Sequence, residues 1–234
     1  MEMNEFLEYV KKLNVEVTEE KLKKLEEYFQ ILILWNNKMN LTSITEKKDV
    51  YLKHFYDSLT ITKIVDLKQE ESLCDIGTGA GFPGIVLKIF FPHLKVTLIE
   101  SLQKRVIFLN EVIQKLKLKD IVVINERAED YAKKTRESFD VVTSRAVANI
   151  YILLEYSVPL VKIHKYFIPM KGKLEELKDI TKVSKELNIQ LVDKQEFYLP
   201  IEESMRNLLK FEKLGKTNSK YPRKYNEIKK KPLC

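Results

Sequence analysis

Ten consecutive residues, Asp75-Ile76-Gly77-Thr78-Gly79-Ala80-Gly81-Phe82-Pro83-Gly84, hold four of the chain's six glycines. They follow a short apolar run, Leu73-Cys74-Asp75-Ile76, and lead into a segment with helical spacing. Glycines at such a junction let the backbone turn sharply and approach a ligand closely. The helix that follows offers unpaired amide groups to the same ligand. The run is not a phosphate-binding P-loop, because no Gly-Lys-Ser/Thr follows it. Nor is it the G-x-G-x-x-G dinucleotide fingerprint, whose third glycine would fall on Phe82. Its pattern is D-x-G-x-G-x-G. A second acid, Glu100, stands 25 residues after Asp75, at the end of the run Val96-Thr97-Leu98-Ile99. A carboxylate at the end of a second strand suits the two hydroxyls of a ribose. Arg127-Ala128-Glu129-Asp130 follows a third apolar run, Ile121-Val122-Val123-Ile124. The three histidines, His54, His93 and His164, are dispersed without metal-ligand spacing.

These groups need elements to hold them. Short strands are expected at 73–76, 96–100, 121–124, 139–143 and 166–168, alternating with helices at 82–91, 103–116, 126–134, 149–161 and 174–187. Two more strands, 191–198 and 206–211, follow with no helix between them. Alternation of this kind implies an α/β fold with a mostly parallel sheet covered on both faces. The last pair implies a hairpin, and so an antiparallel C-terminal strand in a seven-stranded sheet. Before the sheet, residues 1–70 read as a helical cap packed on the core. Thr18 followed by Glu19 and Glu20 is a helix cap with acids in the first turn. Leu22, Leu25, Phe29 and Leu32 then recur on one helix face, with Trp35 as an apolar anchor closing the stripe. Residues 49–64 read as a further helix containing His54 and Asp57, with His54, beside Asp57, assigned a structural rather than a catalytic place. The sheet domain spans 71–214, and 215–234 forms a basic tail.

Composition bounds the rest. The chain has 234 residues, 44% hydrophobic and 32% charged, which fits a globular protein and argues against disorder. No uncharged apolar run reaches the length of a membrane span, and residues 1–5 lack the features of a signal peptide. Two cysteines, Cys74 and Cys234, cannot supply a disulfide framework or a four-cysteine metal site. A cytoplasmic protein with reduced thiols is expected. Residues 210–234 hold nine basic and two acidic residues, a net charge of +7, which leaves 32 of each sign in the other 209 residues. A basic tail on a neutral body suits a polyanion such as nucleic acid.

The D-x-G-x-G-x-G turn resembles the first motif of S-adenosylmethionine-dependent methyltransferases, and the acids after strands two and three fall where such proteins hold ribose and adenine. After strand four the chain reads Thr143-Ser144-Arg145-Ala146 rather than the Asn/Asp-Pro-Pro-Tyr/Phe of amino-methylating nucleic-acid enzymes. Methylation of pyrimidine C5 needs a cysteine nucleophile, and neither cysteine is placed for it. More narrowly, the chain resembles the RsmG (GidB) family of bacterial 16S rRNA guanine-N7 methyltransferases. The matching segments are 35–42 (Trp-Asn-Asn-Lys-Met-Asn-Leu-Thr), His54 with Asp57-Ser58-Leu59, 75–84, Glu100-Ser101-Leu102-Gln103-Lys104-Arg105, Ser144-Arg145-Ala146, Lys171-Gly172 and Lys220-Tyr221-Pro222-Arg223-Lys224. Two stretches depart from the family pattern, 165–170 before Lys171 and 225–232 after Lys224; neither is expected to touch the cofactor site.

The resemblance implies a Rossmann-like methyltransferase fold and methyl transfer from S-adenosyl-L-methionine to N7 of a guanine in the 530 loop of 16S rRNA, on the 30S subunit or its precursor. It implies cofactor contacts at Gly77, Phe82, Ala128, Glu129 and Arg145, with Glu100 near the ribose and Gly79 in the same turn. Lys104, Arg105 and Lys171 would form a basic rim facing RNA, and Lys220, Arg223 and Lys224 would add phosphate contacts from the tail. Guanine N7 carries a lone pair and no proton, so no general base is expected, and Arg145 is a positioning candidate rather than an acid or base. A monomer without metal or membrane partner is expected. Rival readings are a methyltransferase acting on another RNA, a protein or a small molecule, a nicotinamide-dependent oxidoreductase, which Phe82 at the third-glycine position opposes, and a silent RNA-binding protein of the same fold.

Overall fold

A computed structural model describes residues 1–145, 148–172 and 180–233. Seven strands form one sheet: β1 (Ser72–Ile76), β2 (Lys95–Ile99), β3 (Ile121–Ile124), β4 (Phe139–Arg145), β5 (Val161–Lys171), β6 (Ile189–Tyr198) and β7 (Met205–Lys213). Their order is β3-β2-β1-β4-β5-β7-β6. The first five are parallel, and β7 runs antiparallel to both β5 and β6. The order reverses between β1 and β4, which opens a crevice at the carboxyl ends of these strands, where ligands of open α/β sheets bind. All five residues of β1 are buried, as a strand covered on both faces requires.

The N-terminal helices are α1 (Met3–Lys12), α2 (Glu19–Asn36), α3 (Lys47–Val50) and α4 (Asp57–Leu59). The sheet segment adds α5 (Gly84–Phe90), α6 (Gln103–Lys115), α7 (Ala128–Lys134), α8 (Ile150–Ser157), α9 (Thr181–Leu187) and α10 (Tyr225–Lys230). Thr18 caps α2 by accepting from the Lys21 amide at 3.3 Å. Phe6, Leu25, Tyr28 and Leu32 share one apolar cluster with Ile85, Leu98 and Phe108, so helices and sheet have a common core on that face. Trp35 meets Phe108 edge-on at 5.9 Å. A second cluster, with Leu153, Leu154, Phe167, Leu187 and Phe211, fills the other face.

Several expected boundaries move. The helix expected at 82–91 starts at Gly84, because Phe82 and Pro83 complete the turn. The helix expected at 149–161 stops at Ser157 and tightens into a 3-10 turn at Val158–Leu160, with Pro159 at its second position. The fifth strand is eleven residues long rather than three. Of the helix expected at 174–187, residues 174–179 lie outside the described residues and Thr181–Leu187 is helical. Residues 49–64 do not form one α-helix. A π-helical turn at Tyr51–Tyr56 lies between α3 and α4, and a 3-10 turn at Thr60–Lys63 follows.

Tyr28 joins the helices to the glycine turn. It is wholly buried, stacks on Phe82 at 5.4 Å and donates its hydroxyl to the Ala80 carbonyl. Gly81 has φ +93°, and a Cβ there would come within 2.6 Å of both Ile85 and the Tyr28 hydroxyl. Removing only the hydroxyl, by Tyr28→Phe, strands a buried carbonyl. It is expected to lower unfolding free energy by about 1–3 kcal/mol, measured by urea denaturation, with the sheet retained by circular dichroism.

Candidate functional site

The glycine turn is held from below by Asp75. This side chain has no solvent exposure. Its Oδ2 accepts from the Thr78 hydroxyl at 2.6 Å and from the Gly84 amide at 2.9 Å. Burial pushes its pKa up to about 6, against the pull of those two donors. Its other oxygen, Oδ1, is buried without a hydrogen-bond partner among the described residues. Gly77, Gly79 and Gly81 all take positive φ, 63°, 62° and 93°, a region other residues adopt only at a cost.

Glu100 lies one residue beyond β2 and is buried. Its Oε1 accepts from the Leu102 amide at 2.8 Å and its Oε2 from the Gly79 amide at 3.1 Å. Arg105, in the first turn of α6, stands 3.5 Å from the same carboxylate. The carboxylate therefore spans the gap between the glycine turn and α6. Beside it is a cavity of about 230 Å³ at the carboxyl ends of β1, β2 and β3. Gly77, Glu100, Ala128 and Glu129 line it, as do Tyr156 of α8 and Tyr225 of α10. Of the seven residues expected at a cofactor, four thus meet at one cavity, and a fifth, Gly79, is bonded to Glu100.

The other two, Phe82 and Arg145, meet in an adjoining cluster. Arg145 ends β4, and its guanidinium lies 5.2 Å from the centre of the Phe82 ring. One terminal nitrogen, Nη1, donates to Asp57 Oδ2 at 3.0 Å and to the Lys53 carbonyl at 2.9 Å. The other, Nη2, lies 3.1 Å from His54 Nδ1. An arginine can only donate, so Nδ1 carries no proton and Nε2–H donates to the Thr42 hydroxyl oxygen, 2.9 Å away. Burial, with Arg145 beside it, pushes the His54 pKa down to about 3. The His54 ring also stacks on Phe82 at 4.4 Å. Asp57 accepts in addition from Arg206 Nε at 2.9 Å. Asn36 shapes the loop that delivers Thr42, accepting from the Leu41 and Thr42 amides. The π-turn sets this cluster up: with the Asp57 amide bonded to the Leu52 carbonyl five residues back, both His54 and Asp57 are buried toward Arg145.

Basic residues divide. Lys104 is exposed beside Arg105. Lys171, at the end of β5, donates to the Ala148 carbonyl. Lys220 pairs with Glu186 at 3.0 Å and stays exposed, as does Lys224. Arg223 departs from the expected phosphate contact. Its backbone amide, Nε and Nη2 all donate to the buried Glu155 of α8, at 3.0, 2.8 and 2.6 Å. The segment expected as a basic tail is folded down, with Tyr221, Ile228 and Leu233 buried. Sequence reasoning missed Arg206, Tyr156 and Tyr225. Glu155, a lone acid in the apolar run Ile-Tyr-Ile-Leu-Leu-Glu-Tyr-Ser of α8, was the available sign that a cation docks there.

Residues 21–209 match the GidB family, described as rRNA small subunit methyltransferase G. The chain belongs to this family. The ribosomal RNA small subunit methyltransferase G of Bacillus cereus (strain B4264) is 46% identical over 237 residues, covering 100% of this chain and 99% of the relative. The protein of the same name from Bacillus thuringiensis (strain Al Hakam) matches equally. Among solved structures, M. jannaschii TYW2 in complex with AdoMet aligns with a TM-score of 0.52 at 18% identity, covering 63% of this chain and 71% of that one. A SAM dependent methyltransferase from Aquifex aeolicus aligns with a TM-score of 0.52 at 18% identity, covering 71% and 93%. At that identity the likeness is one of fold. This GidB-family chain is an α/β, Rossmann-like, S-adenosylmethionine-dependent methyltransferase.

The state of His54 has a measurable consequence. Its folded pKa lies far below the unfolded value of 6.5, so the unfolded chain takes up the proton first. Stability present at neutral pH is therefore lost as pH falls below 6.5, at up to about 1.4 kcal/mol per pH unit. His54→Asn keeps an acceptor for Arg145 and removes the titration. Between pH 7 and 5.5 the wild type is expected to lose about 1 kcal/mol more than the variant in urea unfolding.

Proposed function

We propose that this protein transfers a methyl group from S-adenosyl-L-methionine to N7 of a guanine in the 530 loop of 16S rRNA, within the 30S subunit or its precursor. The observation that carries the proposal is the end-to-end match, at 46% identity, to relatives named for small-subunit ribosomal RNA. The site suits it. The cavity offers Glu100 and Glu129 as acceptors for hydroxyl and amino groups, and Asp75 Oδ1 is a buried acceptor in want of a donor. Gly77, Glu100, Ala128 and Glu129 would hold the adenosyl part, with Glu100 at the ribose. Gly79, Phe82 and Arg145 would meet the remainder and the acceptor base. Bound there, the cofactor supplies an electrophilic methyl group on a sulfonium.

The acceptor chemistry fits the groups at hand. Guanine N7 attacks through an in-plane lone pair and releases no proton, so the protein's work is to hold the base in line at near-attack distance. His54, the imidazole at Arg145, is committed on both nitrogens. Cys74 is buried in β1, where desolvation pushes its thiol pKa well up and keeps it from serving as a nucleophile. Arg145, fixed by Asp57, His54 and the Lys53 carbonyl, is a rigid cation suited to orienting a base. Lys104, Arg105, Lys171, Lys220 and Lys224 supply positive charge for phosphates. Arg223 serves the same end from within, by fixing the segment that carries Lys220 and Lys224.

Methyl transfer from labelled S-adenosylmethionine to 30S subunits lacking 7-methylguanosine, mapped by chemical cleavage at the methylated base, tests the proposal. Incorporation at one guanine of the 530 loop is expected. Cofactor binding by calorimetry without incorporation would mean a different acceptor or a missing assembly intermediate. Arg145→Ala is expected to reduce transfer on the order of 100-fold with the fold intact. Glu100→Ala is expected to weaken cofactor binding roughly tenfold or more, and unchanged affinity would remove Glu100 from the ribose.

A further inference from the structure

One wall of the cavity comes from a part of the chain that the glycine motif does not announce. Tyr225, the first residue of α10, lines the cavity together with Tyr156, Ala128 and Glu129. The two tyrosines reach it by one linkage. Glu155, with no solvent exposure, receives three donations from Arg223, and Tyr156 and Tyr225 are its neighbours one residue on from Glu155 and two on from Arg223. Arg223 Nη2 also donates to the Lys231 carbonyl at 2.9 Å, tying the far end of α10 back to the same guanidinium. Upstream, Arg136 donates to the Thr217 and Tyr221 carbonyls at 2.7 and 2.8 Å, and the Tyr221 hydroxyl donates to Glu186 at 2.7 Å. Ile228 and Leu233 bury their side chains. The segment is thus pinned on both sides of Tyr225, while Tyr225 itself keeps 39% of its surface exposed. An aromatic residue held rigidly at a cavity wall, with much of its surface uncommitted, is suited to stack on a flat ring.

We propose that Tyr225 is a cofactor-binding residue that packs against the purine of the adenosyl group, so that the basic C-terminal segment completes the cofactor site. This rests on the reading of the cavity as the adenosyl site of S-adenosylmethionine. The contact is confined to one end of the ligand: Tyr225 belongs to the cavity at Gly77, Glu100 and Glu129, whereas Asp75 and Arg145 lie outside that lining. Lys224, Lys229, Lys230 and Lys231 are exposed on the same segment, so the piece of chain that carries the densest positive charge also closes the cavity.

Calorimetric titration of the full chain with S-adenosylhomocysteine, and separately with adenosine, tests this. Tyr225→Ala is expected to weaken both ligands by the same factor, about tenfold, as loss of one base-stacking aromatic does. Tyr225→Phe, which keeps the ring, is expected to stay within about threefold of wild type on the same grounds. Arg223→Gln, which unpins the segment, is expected to weaken both ligands, and combining it with Tyr225→Ala should add little further loss. Thermal unfolding of Tyr225→Ala near the wild-type midpoint would show that the loss is local. Wild-type binding with an unchanged Tyr225→Ala affinity would overturn the role of Tyr225 and leave the cofactor reading standing. Failure of the wild type to bind either ligand would overturn both.

Discussion

A carboxylate with no exposure to solvent, Asp75, accepts from the Thr78 hydroxyl and the Gly84 amide and so fixes both ends of the glycine turn. The rest of the carboxyl edge is arranged around that turn: Gly79 reaches Glu100, Ala80 receives the Tyr28 hydroxyl, and Phe82 supplies the ring under His54 and Arg145. Holding a charge there is expensive. With a pKa raised from 3.8 to about 6, the folded state binds the proton more readily than the unfolded chain. Ionising Asp75 therefore removes stability as pH rises from about 4 to 6, in total roughly 3 kcal/mol. A cost of that size is tolerable where the group positions a binding loop, since strain and uncompensated polarity collect at such sites.

Asp57 extends the arrangement sideways. It lies in the N-terminal helical segment and takes a bond from Arg145 of β4 and another from Arg206 of β7. A buried carboxylate between two arginines contributes little net stability over an apolar alternative. It does give Arg145 one orientation, and it makes that orientation depend on three distant parts of the chain. His54 and the Lys53 carbonyl complete the set.

Much of this was legible from local pattern. Alternating apolar runs and helical periods located the strands, since strands covered on both faces cannot hide their composition, and Glu100 and Ala128-Glu129 announced themselves by position after strands two and three. What escaped was non-local or fell between periods. The π-turn at Tyr51–Tyr56 shifts the helix register without leaving a period of its own, so His54 and Asp57 read as ordinary helix residues. The hairpin implied β7 antiparallel to β6, but nothing in 191–211 said that β7 rather than β6 would meet β5. Arg206 and Tyr225 carried no motif, because their places beside Asp57 and at the cavity arise only after elements more than a hundred residues away have closed upon them. The positive charge of 210–234 was plain, whereas the inward turn of Arg223 needed knowledge of Glu155 across the fold.

The insertion of β7 between β5 and β6 also ranks the ways in which the sheet can come apart. Among the described residues β6 is an edge strand whose one ladder is with β7, so its fraying frees the outer edge of β7 and leaves the β5–β7 ladder in place. β7 cannot leave β5 without taking β6 along. Arg206, near the start of β7, sits opposite Phe197 of β6, yet its strand stays in the sheet through the β5 ladder when β6 frays. The outer strand is a fender in this sense: its loss leaves in the sheet the strand whose Arg206 bonds Asp57, the carboxylate that orients Arg145.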